Sequence, residues 1–133
     1  MGLGICSRGG SLEDLVSGEL TIKVSDPAGG LIRLDWLGKS NARHPGAVVK
    51  PLFDEVANEA RAKEASIEMH FEALEHFNSS TITTLIQLIQ QLRGEGVQLT
   101  IAYNGALTWQ KLSFDALRVF EKNDGMLVLQ DAS

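Results

Sequence analysis

A chain of 133 residues has room for one domain, and it can bury a hydrophobic core without disulfides or metals. Its formal net charge is -5, and its Lys and Arg residues are scattered along the sequence. Nucleic acids and anionic membrane surfaces bind clustered cations, so we expect neither nucleic acid binding nor membrane insertion.

The first 17 residues are rich in Gly and Ser and lack hydrophobic periodicity, which predicts a flexible N-terminal tail over 1–17. The only cysteine, Cys6, lies in this tail and cannot form a disulfide within the chain. The first residues lack the pattern of a signal peptide, and the longest apolar runs are too short to cross a bilayer. These features predict a cytoplasmic protein with a single domain over 18–133.

The domain is predicted to begin with a β-hairpin. Residues 19–24 and 31–37 alternate between polar and apolar side chains, and the Asp-Pro-Ala-Gly-Gly sequence at 26–30 is a turn signal. From Gly46 to Ala65 the apolar residues recur at helical spacing instead, which predicts the first helix.

Strands and helices are predicted to alternate in the rest of the chain. The predicted elements are a strand over 67–73, a short loop through 75–77, a helix from about Thr81 to Leu92, a strand over 97–102, a helix over 109–120 with a break near Ser113, and a strand over 126–129. Strands separated by helices favour parallel pairing through right-handed crossovers. The sequence therefore predicts an α/β fold with a mixed, mostly parallel sheet of about five strands.

The third predicted strand indicates how this sheet is covered. Glu68, His70 and Glu72 share one face of it, whereas a strand buried on both faces would be a continuous apolar run. We therefore expect the helices to lie mainly on one face of the sheet. The spacing of these residues and His76 matches no known ligand pattern, so no metal site is predicted.

The sequence from Ile67 to Ser80 resembles the signature of STAS domains, the family of bacterial anti-sigma-factor antagonists. In that family an apolar strand and a short turn precede Asp-Ser-Ser-Gly, which opens a helix. Asn78 aligns with the Asp, Ser79 and Ser80 with the two serines, and Thr81 with the Gly. The order of elements also matches, over roughly residues 18 to 130.

This resemblance implies a signalling protein that acts as a phosphorylation switch. In the family, an anti-sigma factor with a histidine-kinase-type ATPase fold phosphorylates a hydroxyl in the signature loop. A metal-dependent serine phosphatase removes the phosphate, and the unmodified form binds the kinase-like partner. By position Ser80 is the implied acceptor and Ser79 the next candidate, while Asn78 and Thr81 are expected to shape the loop.

The helix after the signature is uncharged from Asn78 to Leu92, although solvated helix faces usually carry Lys and Glu. Charge is depleted at the cores of protein interfaces, so this face is predicted to bind a partner. Its predicted contact residues are Thr83, Thr84, Gln87 and Gln91. A phosphate at the start of the helix would add about -1.5 to -2 charges to a surface that is otherwise neutral there, and would disrupt such a contact.

Alternatives remain open at this point. Ser79 or Ser80 could serve only as an N-cap, which contributes about 1 kcal/mol. The fold could also serve as a ligand-sensing module for a nucleotide or another anionic small molecule, or as a structural subunit with a permanent interface. The sequence has no catalytic triad, paired carboxylates or phosphate-binding loop, so we expect no enzymatic activity and no cofactor.

Overall fold

The computed structural model describes residues 14–28, 30–122 and 124–132. Seven strands and three α-helices lie within these ranges. In chain order they are β1 (Leu15–Ser17), β2 (Leu20–Ala28), β3 (Leu31–Ser40), α1 (Pro45–Lys63), β4 (Ser66–His70), β5 (Leu74–Phe77), α2 (Ser79–Glu95), β6 (Leu99–Tyr103), α3 (Thr108–Ala116) and β7 (Leu127–Asp131). A 3-10 helix at Leu117–Phe120 directly follows α3.

The strands form one mixed sheet in the order β1-β2-β3-β4-β6-β7, and β5 pairs with the end of β3 beyond β4. The β1–β2 and β2–β3 pairs are antiparallel. The β3–β4, β3–β5, β4–β6 and β6–β7 pairs are parallel. The predicted α/β fold with a mostly parallel sheet is therefore confirmed. The number of strands is higher than the five predicted.

The two additional strands are too short to produce a recognisable pattern in the sequence. Leu15–Ser17, in the region predicted as a flexible tail, pairs with Leu20–Ile22 through a tight turn that contains Gly18 at a φ of 58°. Residues 1–13 of the predicted tail, including Cys6, lie outside the described residues. Leu74–Phe77 forms β5 where a loop is predicted, and its two central residues are both exposed, so it lacks the alternation expected of a strand.

One face of the sheet carries the core, and α1, α2 and α3 pack against that face. Ile22, Leu34 and Met69 are buried on three adjacent strands and belong to one hydrophobic cluster with residues of all three helices. The opposite face carries polar side chains that are only partly buried, including Arg33 and His70. This arrangement confirms the prediction that the helices lie mainly on one face.

Pairs of charged and polar side chains lie on this opposite face of the sheet. The Arg33 guanidinium lies 3.0 Å from a carboxylate oxygen of Asp35. The His70 ring lies between two carboxylates, with Nε2 2.5 Å from Glu68 and Nδ1 3.1 Å from Glu72. Among the described residues, no group of three or more His, Cys, Asp or Glu side chains has an arrangement that could hold a metal ion.

The start of α2 and the break in the last helix differ from the prediction. α2 begins at Ser79, two residues before the predicted start at Thr81. The break in the last helix follows Ala116 rather than Ser113, since the chain continues as a 3-10 helix from Leu117. The tighter 3-10 turn keeps side chains three residues apart on one side, so that Leu117 is buried and Phe120 packs against the core. Within the described ranges, every helix is too short or too polar to traverse a lipid bilayer.

Candidate functional site

Asn78 is the N-cap of α2. Its backbone is extended, and its side-chain Oδ1 accepts a hydrogen bond from the Thr81 backbone N–H at 3.0 Å. This is the usual way in which a short polar side chain satisfies a free N–H at the start of a helix. Ser79 and Ser80 are the first two residues of the helix itself, so the alternative that one of them serves as the N-cap is wrong.

A buried hydroxyl pair lies beneath this cap. Thr81 is 1% exposed and Ser40 is 2% exposed, and their hydroxyl oxygens are 2.7 Å apart. The Thr81 hydroxyl donates to Oδ1 of Asn78 at 2.8 Å. Because Thr81 has a single hydroxyl proton, the Ser40 hydroxyl must be the donor of the bond between the two hydroxyls. Thr81 is the third residue of α2, and so it lies in the first turn of the helix and not in the loop that the resemblance implies.

These bonds attach the start of α2 to the end of β3. The Asn78 side-chain amide donates to the Ala42 carbonyl at 2.9 Å, and the Asn78 backbone N–H donates to the Ser40 carbonyl at 3.0 Å. The end of β3 is itself held close to the start of β2, since the Lys39 backbone N–H donates to the Glu19 carbonyl at 3.1 Å, and a Cβ atom on Gly38 would clash with that oxygen. The first turn of α2 thus has a defined position relative to the loop between β3 and α1.

The two serines differ in exposure. Ser79 is exposed and Ser80 is partly buried, so neither is sealed in the core. Their carbonyl oxygens accept hydrogen bonds from the side-chain hydroxyls of Thr83 and Thr84, at 3.3 and 3.0 Å. The role of the two serines as phosphate acceptors remains a prediction.

The four predicted docking residues lie in two different environments. Thr83 and Gln87 are exposed on α2, while Thr84 and Gln91 are partly buried towards α1. The Gln91 amide approaches Oδ1 of Asp54 on α1 at 3.4 Å. Gln91 therefore bridges the two helices, and Thr83 and Gln87 are the predicted contacts that face solvent most fully.

A depression of about 340 Å³ separates the start of α1 from the first turns of α2. From the β3–α1 loop and the start of α1 it is lined by Arg43, His44, Pro45, Gly46 and Ala47, and from α2 by Ser80, Thr83, Thr84 and Gln87. The lining contains a cation and no carboxylate. The predicted neutrality around Ser80 is therefore wrong, because folding brings Arg43 next to an uncharged helix.

No local pattern in the sequence points to Arg43. It lies 37 positions before Ser80 in a polar loop, and the two segments meet through the β3–β5 pairing and the hydrogen bonds that join Asn78 and Thr81 to the residues at 40–42. His44, which has the appearance of an ordinary loop residue before a proline, belongs to the same lining. The pairing of Asn78 with the backbone after β3 would have indicated this contact, but the two segments are far apart in the sequence.

Gln110 supports the segment that leads to the site. It is fully buried, and its side-chain amide donates to the carbonyls of Phe71 and Leu74 at 2.7 and 3.2 Å. Its Oε1 accepts from the Asn104 backbone N–H at 2.7 Å. One side chain thus connects the turn between β4 and β5 to the loop before α3. Gln110 carries no signal in the sequence, because it is one polar residue among others in an amphipathic helix.

No protein-family model matches the sequence, and none of the curated proteins matches it. Solved structures match the fold. The unphosphorylated form of the anti-sigma factor antagonist SpoIIAA is 14% identical, with a TM-score of 0.56 over 84% of this chain and 89% of that chain. This chain has a STAS-like fold.

Two further structures agree with this assignment. An anti-sigma factor antagonist from Mycobacterium paratuberculosis is 16% identical, with a TM-score of 0.55 over 82% of this chain and 85% of that chain. The phosphorylated form of the Bacillus protein SpoIIAA is 12% identical, with a TM-score of 0.53 over 84% of this chain and 92% of that chain. At these identities the similarity describes the STAS-like fold and not the individual side chains.

Proposed function

We propose that this protein is a phosphorylation switch of the anti-sigma-factor-antagonist type, and not an enzyme. The observation that carries the proposal is the first turn of α2, where Ser79 and Ser80 are accessible on a helix end held by buried hydrogen bonds. In the unmodified state the adjacent helix face binds a kinase-fold anti-sigma factor or a related ATPase. Phosphate on Ser80, or on Ser79, releases that partner.

The charge distribution of α2 supports this mechanism. The first turn contains no acidic residue, and the helix carries no charge between Asn78 and Leu92. A partner that covers Thr83 and Gln87 therefore desolvates no charged group of α2 itself, and the nearby cation, Arg43, comes from the β3–α1 loop. A phosphate adds about -1.5 to -2 charges at the edge of that contact, where desolvation and repulsion both oppose binding.

The STAS-like fold supports the same kind of function. The structural neighbours are anti-sigma factor antagonists, and one of them has been solved in both a phosphorylated and an unphosphorylated form. By analogy, the proposed cycle includes a serine kinase that is also the binding partner, and a metal-dependent serine phosphatase. We expect the cycle to operate in the cytoplasm, where ATP is available to such a kinase.

Intact-mass measurement after incubation with the kinase-type partner and ATP tests the assignment. We expect the addition of one phosphate, which is lost in the Ser79→Ala, Ser80→Ala double variant. Ser25→Ala, at an exposed serine on β2, is the matched control and should still be phosphorylated. A phosphate that persists in the double variant would show that the site lies elsewhere.

Calorimetric titration of the partner tests the switch itself. Wild-type protein should bind, and protein carrying phosphoserine at position 80 should bind at least tenfold more weakly, which corresponds to about 1.4 kcal/mol. A complex that forms equally well in both states would favour the structural-subunit alternative instead.

A further inference from the structure

Arg43 is exceptional among the arginines of the described ranges. The others each lie within 4.0 Å of a carboxylate, in the pairs Arg33–Asp35, Arg61–Glu95, Arg93–Asp124 and Arg118–Asp115. Arg43 is exposed and has no ion pair or hydrogen bond to any described residue. Acidic residues outnumber basic ones in this chain by 17 to 12, and yet Arg43 lies where no described carboxylate pairs with it.

The position of Arg43 indicates what it can bind. It lines the depression between the start of α1 and α2, and Ser80 lines the opposite wall. No Asp or Glu is among the lining residues, so nothing there competes for the guanidinium. Ser79 does not line this depression and is exposed on another side of the helix end.

We infer that Arg43 is an internal receptor for a phosphate on Ser80. The inference rests on the proposed phosphorylation of this helix end and adds the residue that receives the modification. The planar guanidinium presents donors that match two phosphate oxygens, and such charge-assisted pairs are the strong hydrogen bonds of proteins. A phosphate on Ser80 therefore attaches the β3–α1 loop to α2 and fills the depression.

This pairing distinguishes the two serines. A phosphate on Ser80 is partly neutralised by Arg43 and held against the protein, while a phosphate on Ser79 projects into solvent as a free dianion. The phosphorylated protein would then present a reshaped surface next to Thr83 and Gln87, rather than only an added charge. A partner or a phosphatase that acts on Ser80 must displace Arg43.

Phosphorus NMR on protein with phosphoserine incorporated during translation tests this inference without a kinase. The phosphate at position 80 should titrate at lower pH in the Arg43 protein than in Arg43→Gln, by about half a pH unit or more, since a nearby cation favours the dianion. Arg43→Lys should restore part of the difference. All samples carry His44→Gln, because His44 is the other titratable group that faces the depression.

Two controls make the result specific. Phosphoserine at position 79 should titrate at the same pH with and without Arg43. Lys39→Gln removes an exposed cation from β3, outside the lining of the depression, and should leave the titration of the phosphoserine at position 80 unchanged. The Arg43→Gln substitution should also lower the Tm of the phosphorylated protein but not of the unmodified one.

Equal titration midpoints at position 80 in the Arg43 protein and in Arg43→Gln would overturn the inference. The inference would also be overturned if Arg43 changed the titration of a phosphoserine at position 79 but not of one at position 80. Because the phosphate is incorporated during translation, neither outcome depends on whether a kinase acts on this protein. Failure of the proposed switch would appear instead in the kinase and partner-binding experiments.

Discussion

The two ends of α2 are held in different ways. At its C-terminal end, Arg93 forms an ion pair with Asp124 and donates to the Phe120 carbonyl at 2.6 Å, and Glu95 lies 3.7 Å from Arg61. At its N-terminal end, the contacts are hydrogen bonds among neutral groups, centred on the buried hydroxyl of Thr81. No described ion pair involves a residue between Asn78 and Leu92.

The two ends of α2 are therefore held by interactions that differ in their sensitivity to salt and in the cost of breaking them. Exposed ion pairs are screened by salt and contribute little, whereas a buried hydroxyl network is costly to disrupt because its groups have no water to replace a lost partner. The N-terminal end is therefore fixed without using charge. A phosphate added there meets no carboxylate within the depression, and the one cation in its lining that is permanently charged is Arg43.

The largest expected effect comes from removing the buried amide that supports the N-terminal end. Gln110→Leu leaves the carbonyls of Phe71 and Leu74 and the Asn104 N–H without their partner, which should destabilise the fold by about 3 kcal/mol. Urea denaturation followed by circular dichroism measures this. Gln90→Leu, at an exposed glutamine on α2, is the matched control and should change the free energy of unfolding by less than about 0.5 kcal/mol.

A smaller effect is expected from removing the hydroxyl at the centre of the network. Thr81→Val keeps the shape of the side chain but deprives the Ser40 hydroxyl of its acceptor and Asn78 of a donor, at a cost of about 2 kcal/mol. Thr83→Val removes an exposed hydroxyl from the same helix and should have little effect. Equal stability of the two variants would show that the buried network does not hold this end of α2.

The same distinction between local and non-local contacts explains what the sequence could predict. The strands β2, β3, β4, β6 and β7 and the three helices follow from apolar patterns within each segment, and the signature at 78–81 is contiguous. The role of Asn78 as a cap was also available, because Asn is a preferred N-cap residue. The predicted helix start near Thr81 is late because the apolar pattern begins only at Ile82.

The contacts that build the site could not be predicted in this way. Ser40 and Thr81 are 41 positions apart, and their hydroxyls meet only because β3 and β5 pair in parallel and end side by side. The same pairing brings Arg43 next to Ser80. With only four residues, β5 is too short to reveal that pairing in the sequence.

The C-terminal end of α2 should show a smaller effect that depends on salt. Arg93→Gln removes the ion pair with Asp124 and the bond to the Phe120 carbonyl. The loss of stability should be less than that of Thr81→Val, and its ionic part should vanish near 1 M salt, where the screening length is about 3 Å. The effect of Thr81→Val should not change with salt. Denaturation of both variants at low and high NaCl compares the two ends directly.

The smallest expected effect is a dependence on pH at the same C-terminal end. The Met126 backbone N–H, and then the Arg93 guanidinium, hold the pKa of Asp124 below its usual value of 3.8. Because the pKa is lower in the folded state, this carboxylate stabilises the fold above pH about 4, and the contribution is lost as the pH falls through the folded pKa. Asp124→Asn should therefore be less stable than wild type at pH 7, and the difference should shrink towards pH 3.

Glu75→Gln, at an exposed carboxylate without a described ion pair, is the control for this pH dependence and should show no such convergence. The Met126 hydrogen bond itself does not require a charge, because an amide oxygen can also accept it. A difference between Asp124→Asn and wild type that stays constant from pH 7 to pH 3 would therefore contradict a contribution from the ionised carboxylate. The C-terminal end of α2 would then depend on neutral hydrogen bonds, as the N-terminal end does.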